Sequence, residues 1–259
     1  MASVRTRTGS SCALGLAVLL ILPVSVAQAA REPLVITLPA GAHVGVANLL
    51  DPEVTHFHAS RDLKESFLKT YTVNWPVPTM LMQTLQARLT QMGFAPVAVQ
   101  ATIALRDARE NCFLNAALAK SLPRECRQPF AQFIAANHLD ALIVFGPGLN
   151  NAEHAGGGRH KELPEYLRGW CMVSGEGAVG GAPSLLNLTE LLLILPKEDS
   201  VELSGRQWGG DEVQTWIGFP AGADLKALGD AQLDTAKPLY AAMLSRQADG
   251  LLAHLQVAH

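Results

Sequence analysis

The sequence predicts an α/β fold. It reads as a mixed sheet in two or three layers, with βαβ crossovers first, then antiparallel strands and a C-terminal helix that give its second half α+β character. Three observations predict this. Asp140-Ala141-Leu142-Ile143-Val144-Phe145-Gly146 is a continuous apolar run bounded by turn residues, the pattern of a central strand buried on both faces. A clear helix over residues 79–92 leads into a strand over residues 95–99, and strand, helix and strand in that order favour a right-handed crossover. Beyond Pro147 the pattern changes to short strand-like segments with no long helix between them.

Taken in order, residues 34–38 form a short strand, and residues 43–49 a second with Val44 and Val46 on one side. A polar stretch, residues 51–78, follows. Within it residues 67–75 alternate well enough for a strand, with Phe67, Tyr71, Val73 and Trp75 on one face. Leu81, Leu85, Leu89 and Met92 recur at helical spacing after Pro78 and Thr79, and Gly93 ends that helix. Pro96 sits near the start of the next strand, where it is tolerated. Residues 102–122 favour helix until Pro123 breaks it, and Phe130, Phe133 and Ile134 mark another helix up to Asn137. After a glycine-containing loop at 147–161, strands are expected over residues 167–174, 188–195, 200–206 and 212–219. A final helix over residues 236–256 takes its stripe from Leu239, Met243, Leu244, Leu251, Leu252 and Leu255, with Pro238 in its first turn and Gly250 weakening it.

The first 29 residues read as a secretory leader. Arg5 and Arg7 supply the positive start, residues 12–26 a largely apolar run, and Ala27-Gln28-Ala29 a small-x-small cleavage pattern. The uninterrupted apolar core, residues 13–22, is shorter than the roughly 20 residues a bilayer span needs. Arg5 and Arg7 are not adjacent, which excludes a twin-arginine signal, and Cys12 precedes the apolar run, which argues against a lipid-modified cysteine. The expected organisation is a leader over 1–29 and a single α/β domain over 30–259, in a periplasmic or secreted protein.

The whole chain carries 20 Lys and Arg against 23 Asp and Glu, and the leader removes two arginines and no acid, leaving a balance of about −5. Basic residues are scattered, which argues against a nucleic-acid partner. The most apolar later segment, residues 185–195, is too short to span a membrane and contains Asn187 and Glu190. Of the cysteines left after cleavage, Cys112 and Cys126 are the natural disulfide pair in an oxidising compartment. Closing that loop would contribute ~3 kcal/mol in the chain-entropy view. Cys171, beside Trp170, Met172 and Val173, reads as a buried thiol; the sharper alternative is a nucleophile without a visible His partner.

The order Val44-Gly45-Val46-Ala47-Asn48, helix Leu81…Leu85…Leu89…Gly93-Phe94, strand Pro96-Val97-Ala98-Val99, then Phe133 through Gly146, resembles a group of bacterial envelope α/β domains. These are the amino-terminal domain of the translocation protein TolB, the curli secretion protein CsgG and the lipoprotein activators of peptidoglycan synthases. The likeness covers residues 43–146 apart from 51–78. It is one of element order, and the chain departs from the group in that insertion, in the cysteine-bearing segment and in lacking the lipid-anchor cysteine of some members. The resemblance implies a non-enzymatic envelope protein that acts by binding other proteins, without a cofactor.

The densest set of possible ligands is Asp51-Pro52-Glu53-Val54-Thr55-His56-Phe57-His58. If 54–58 is extended, His56 and His58 project from one face, as a metal pair requires, and Asp51 or Glu53 would add oxygen. Zinc held by His56, His58 and Asp51 would suit a metal-dependent hydrolase; the bland alternative is two half-exposed polar side chains on an edge strand. His154 and His160 flank the glycine loop and could complete such a site. Gly175-Glu176-Gly177-Ala178-Val179-Gly180 matches a dinucleotide fingerprint, but a strand rather than a helix is expected next, so a glycine turn is the better reading. No Gly-x-Ser-x-Gly elbow or Cys-x-x-Cys pair is present. Trp75, Trp170, Trp208 and Trp216 read as core or sheet residues, with Trp208 and Trp216 on one face if their strands pair. Asn187-Leu188-Thr189 is a sequon that matters only in a eukaryotic secretory pathway.

Overall fold

A computed structural model describes residues 35–109, 122–148, 167–175, 183–198, 200–209, 213–219 and 224–258. The elements are β1 (Ile36–Leu38), β2 (His43–Asn48), β3 (Glu53–Ala59), β4 (Phe67–Thr72), α1 (Val77–Gln91), β5 (Ala95–Val99), α2 (Ile103–Arg109), α3 (Arg124–Ala136), β6 (Ala141–Pro147), β7 (Gly169–Gly175), β8 (Ser184–Lys197), β9 (Ser200–Trp208), β10 (Val213–Thr215), α4 (Asp230–Leu233), α5 (Lys237–Leu252) and β11 (Leu255–Val257). Residues Leu34–His259 form one unit. The expected leader, Cys112, His154, His160 and residues 176–180 lie outside the described residues.

Register explains how a short chain builds a long sheet. Strand β8 pairs antiparallel with β6 from Ile194 to Thr189, and then with β7 from Leu188 to Ser184. The Gly148 amide donates to the Leu188 carbonyl at 2.9 Å, so β6 hands over to β7 along one edge of β8. Strands β9 and β10 follow β8 in the same way, Glu190 opposite Trp208 and Leu186 opposite Val213. One strand further out, β2 runs parallel to β6 and β3 runs parallel to β7. The result is two tiers sharing β8: β5-β2-β6-β8-β9 below and β4-β3-β7-β8-β10 above. Pro52 falls at the first break and Pro147-Gly148 at the second, places where a proline lacking its N–H costs the ladder least.

The lower tier is sandwiched. Val44, Val46, Ile143, Phe145, Leu191 and Leu193 meet α1 and α5 on one face. Leu142, Val144, Leu192 and Ile194 meet Phe130, Phe133 and Ile134 of α3 on the other. All seven residues of β6 are buried, which is why its sequence is apolar without alternation. The mixed α/β architecture with parallel and antiparallel strands and a C-terminal helix is therefore as the sequence predicts.

A buried amide fastens α5 to the sheet. Gln247 donates through Nε2 to the carbonyls of Thr189 at 3.1 Å and Gln207 at 2.9 Å, and accepts from Asn187 Nδ2 at 3.2 Å. Asn187 is fully buried, so its sequon has no accessible acceptor in the folded chain.

Three expectations need correction. The C-terminal helix ends at Leu252, and Leu255–Val257 form β11, paired in parallel with β1 in a separate two-stranded sheet. Strand β4 stops at Thr72: the Val73 amide still donates to the Pro52 carbonyl, but Pro52 has no N–H to return, and Pro76 follows. The condition for Trp208 and Trp216 to share a face is not met, since β9 and β10 each pair with β8 rather than with one another; Trp208 packs against Cys171, Val173 and Leu188, and Trp216 lies in the core on the other face. Among the described residues, no helix is long and apolar enough to cross a membrane.

Candidate functional site: two imidazoles on one serine

Alternation along β3 decides what its cluster can do. Val54, His56 and His58 point to the face that α5 covers farther along the sheet, while Glu53, Thr55 and Phe57 point to the other. Strand β7 runs parallel beside it, with His56 opposite Met172 and His58 opposite Ser174. Strand β4 lies on the outer side, with His56 opposite Lys69 and His58 opposite Phe67. The two imidazoles therefore meet on a residue 116 positions away from His58: His56 Nε2 lies 2.7 Å from Ser174 Oγ, and His58 Nδ1 lies 2.8 Å from it. Phe67 closes the outer side, its ring 5.1 Å from each imidazole, edge-on to His56 and stacked on His58.

The surroundings fix this group. Tyr71 Oη donates to the Leu225 carbonyl at 2.9 Å and Lys69 Nζ to the Lys226 carbonyl, tying residues 225 and 226 over the His56 side of the hairpin. His56 is almost fully buried, and desolvation holds its imidazole at about 4; the nearby His58 charge adds to that, and the Leu225 carbonyl works against it. His56 is thus neutral at neutral pH. Among the described residues its buried Nδ1 meets no group in hydrogen-bond geometry. Ser174 has one proton for two nitrogens, so one imidazole accepts it and the other must donate N–H to Oγ. Gly175 ends β7 at φ 73°, and a Cβ there would fall 2.0 Å from the Ala59 carbonyl oxygen, so only glycine fits beside the cluster.

Asp51 does not join the imidazoles. It lines a 240 Å³ cavity on the opposite face with Glu53, Thr55, Leu68, Thr70 and Arg168, where the two tiers meet. Among the described residues, no three or more His, Cys, Asp and Glu side chains gather as a metal would need. Cys126 is buried on α3, and its expected partner Cys112 is not among the described residues, so their disulfide stands as a proposal. Cys171 is a free thiol, fully buried, which pushes it up to about 12. It is uncharged at neutral pH and enclosed, as the buried-thiol reading requires. The fingerprint begins at Gly175, the last residue of β7, and the next described element, β8, pairs with β7 antiparallel, not as the parallel strand of a dinucleotide-binding unit.

Ser174 is the member that sequence reasoning missed. It sits at the end of an apolar strand, and nothing in its spacing to His56 announces it.

No protein-family model and no curated protein matches the chain. Among solved structures it is similar to a dodecamer of a PelC point variant from Paraburkholderia phytofirmans, 11% identical over 86% of this chain and 94% of that one, with a TM-score of 0.24. A score that low bears on neither fold nor function.

Proposed function

We propose that the protein is an exported, non-enzymatic domain of the bacterial envelope that binds or assembles other proteins, and that it takes an extended segment of an envelope partner at β4. Among the described residues β4 pairs with β3 alone, and its outer edge carries this reading. Val73 N–H points inward to Pro52, so by alternation the N–H groups of Thr72, Thr70 and Leu68 point outward. These residues are exposed, Leu68 at 44%. Beside them lies the cavity lined by Asp51, Glu53 and Thr55, into which alternate side chains of an added strand would project. The leader over residues 1–29 supports export. The hydrolase alternative draws an oxygen ligand from Asp51 or Glu53 beside His56 and His58, and both acids line the cavity on the other face of β3.

Thr70→Pro tests the docking edge. Proline there removes an outward N–H and leaves the inward ladder with β3 intact. The variant is expected to match the parent in thermal unfolding but to lose the envelope proteins that co-purify with it after export. Retention of the same partners at the same yield would sink the edge as the docking site.

A further inference from the structure

We propose that the segment docking at β4 carries a lysine or arginine, and that Glu53 recognises it. This rests on the docking edge and names what that edge selects. On the cavity face three rows run across the hairpin: Phe57 opposite Leu68, Thr55 opposite Thr70 and Glu53 opposite Thr72. The outer member of each row belongs to β4, so a strand added there sets one residue in line with each row. The rows differ in chemistry. The first is apolar, with Leu68 exposed at its outer end. In the second, two hydroxyls stand 3.4 Å apart. The third ends in a carboxylate.

Charge decides what the third row takes. The described lining of the cavity holds two carboxylates, Asp51 and Glu53, against one guanidinium, Arg168. Asp51 and Arg168 are already engaged. Glu53 is exposed, and among the described residues its side chain has no hydrogen bond or ion pair. The lysine of β4 does not answer it: Lys69 lies on the opposite face and donates to the Lys226 carbonyl. Thr72 stands between Glu53 and an added strand, and its side chain is short. Two strand spacings amount to roughly 10 Å. A lysine or arginine spans that distance, its methylene stem lying over Thr72 and its charge reaching Glu53. The edge therefore suits an extended segment with an apolar residue against Leu68 and a basic one four positions along, against Thr72.

The test uses the full chain and two fluorescein-labelled, nine-residue peptides. One has leucine at its centre and lysine at both ends, so that it presents the pattern in either strand direction; the other has glutamate at both ends. Serine and threonine fill the remaining positions of each. Affinities are read by fluorescence anisotropy. The parent is expected to bind the lysine peptide about tenfold tighter than the glutamate peptide at low salt, a preference that shrinks as salt is added. Glu53→Lys should reverse the preference. Glu53→Gln, the replacement if Glu53→Lys does not fold, should remove it. Thr70→Pro should lose both peptides. Equal binding of the two peptides by the parent, or a preference unchanged by substitution of Glu53, would overturn this inference and leave the edge standing. Peptides that bind Thr70→Pro as they bind the parent, or bind neither, would overturn the edge and the inference with it.

Discussion

Trp170→Ala will destabilise the fold by about 4 kcal/mol, the range for emptying a buried indole site. Trp170 opens the β7 ladder, registered with Val54 on one side and Asn187 on the other. Its ring is within 5.5 Å of Trp75, 6.1 Å of Phe145 and 5.2 Å of Tyr240, centroid to centroid. It therefore packs across the handover from β6 to β7, with α5 above it. Tyr240 reinforces that joint by donating to the Cys171 carbonyl at 2.6 Å. The neighbours are sheet and helix, which collapse poorly into a void. Trp170→Phe should cost less than half as much, because it keeps an aromatic ring and removes a buried indole N–H that has no partner among the described residues. Urea unfolding followed by circular dichroism gives both values from the midpoints, provided the slopes match. A phenylalanine variant as unstable as the alanine one would contradict this account of the joint.

Arg206→Met will cost about 3 kcal/mol at pH 7, at the lower end for stranding a buried charge because Arg206 itself reaches solvent. Glu190 is buried on β8, and Arg206 of β9 reaches one of its oxygens through Nε at 3.1 Å and through Nη2. Its other oxygen has no partner among the described residues. Burial raises the Glu190 carboxyl above its usual value, while the charge and hydrogen bonds of Arg206 pull it back. A carboxyl raised in the folded state favours folding below its unfolded value, about 4.3, and that contribution is lost as pH climbs through the raised value. Methionine removes the restraint and enlarges the rise. The deficit of Arg206→Met should therefore be large at pH 7 and shrink toward pH 4.5, as the raised carboxyl takes up its proton. Glu190→Gln in the same chain should restore most of the loss at pH 7. An equal deficit at both pH values would rule out the buried carboxylate as its cause.

The parts of the fold legible in the sequence are those whose side chains carry a period of their own. Strand β6 is apolar throughout because both faces are covered, and α1 announces itself through Leu81, Leu85 and Leu89. Strand β11 was not legible: Leu255 extends the helical stripe of α5, and three residues are too few to show alternation. What makes them a strand is β1, more than two hundred residues away in sequence. The two-tier sheet was hidden for a similar reason, since its breaks at Pro52 and Pro147 look like ends of strands. At the site, the shared face of His56 and His58 was readable from alternation. The same parity argument placed Asp51 and Glu53 on the opposite face, had it been carried back along the strand. Ser174 depended on the register of β3 against β7, which no local pattern encodes.

The docking edge is the central claim, and a photo-reactive amino acid at Leu68 tests it most directly. The control position is Ile103 of α2, which is 79% exposed and far from β4 in sequence. Cells exporting each variant are irradiated and the adducts resolved by mass. The account predicts discrete envelope-protein adducts from position 68 and none of those from position 103. The same adducts at both positions, or adducts at 103 alone, would contradict it.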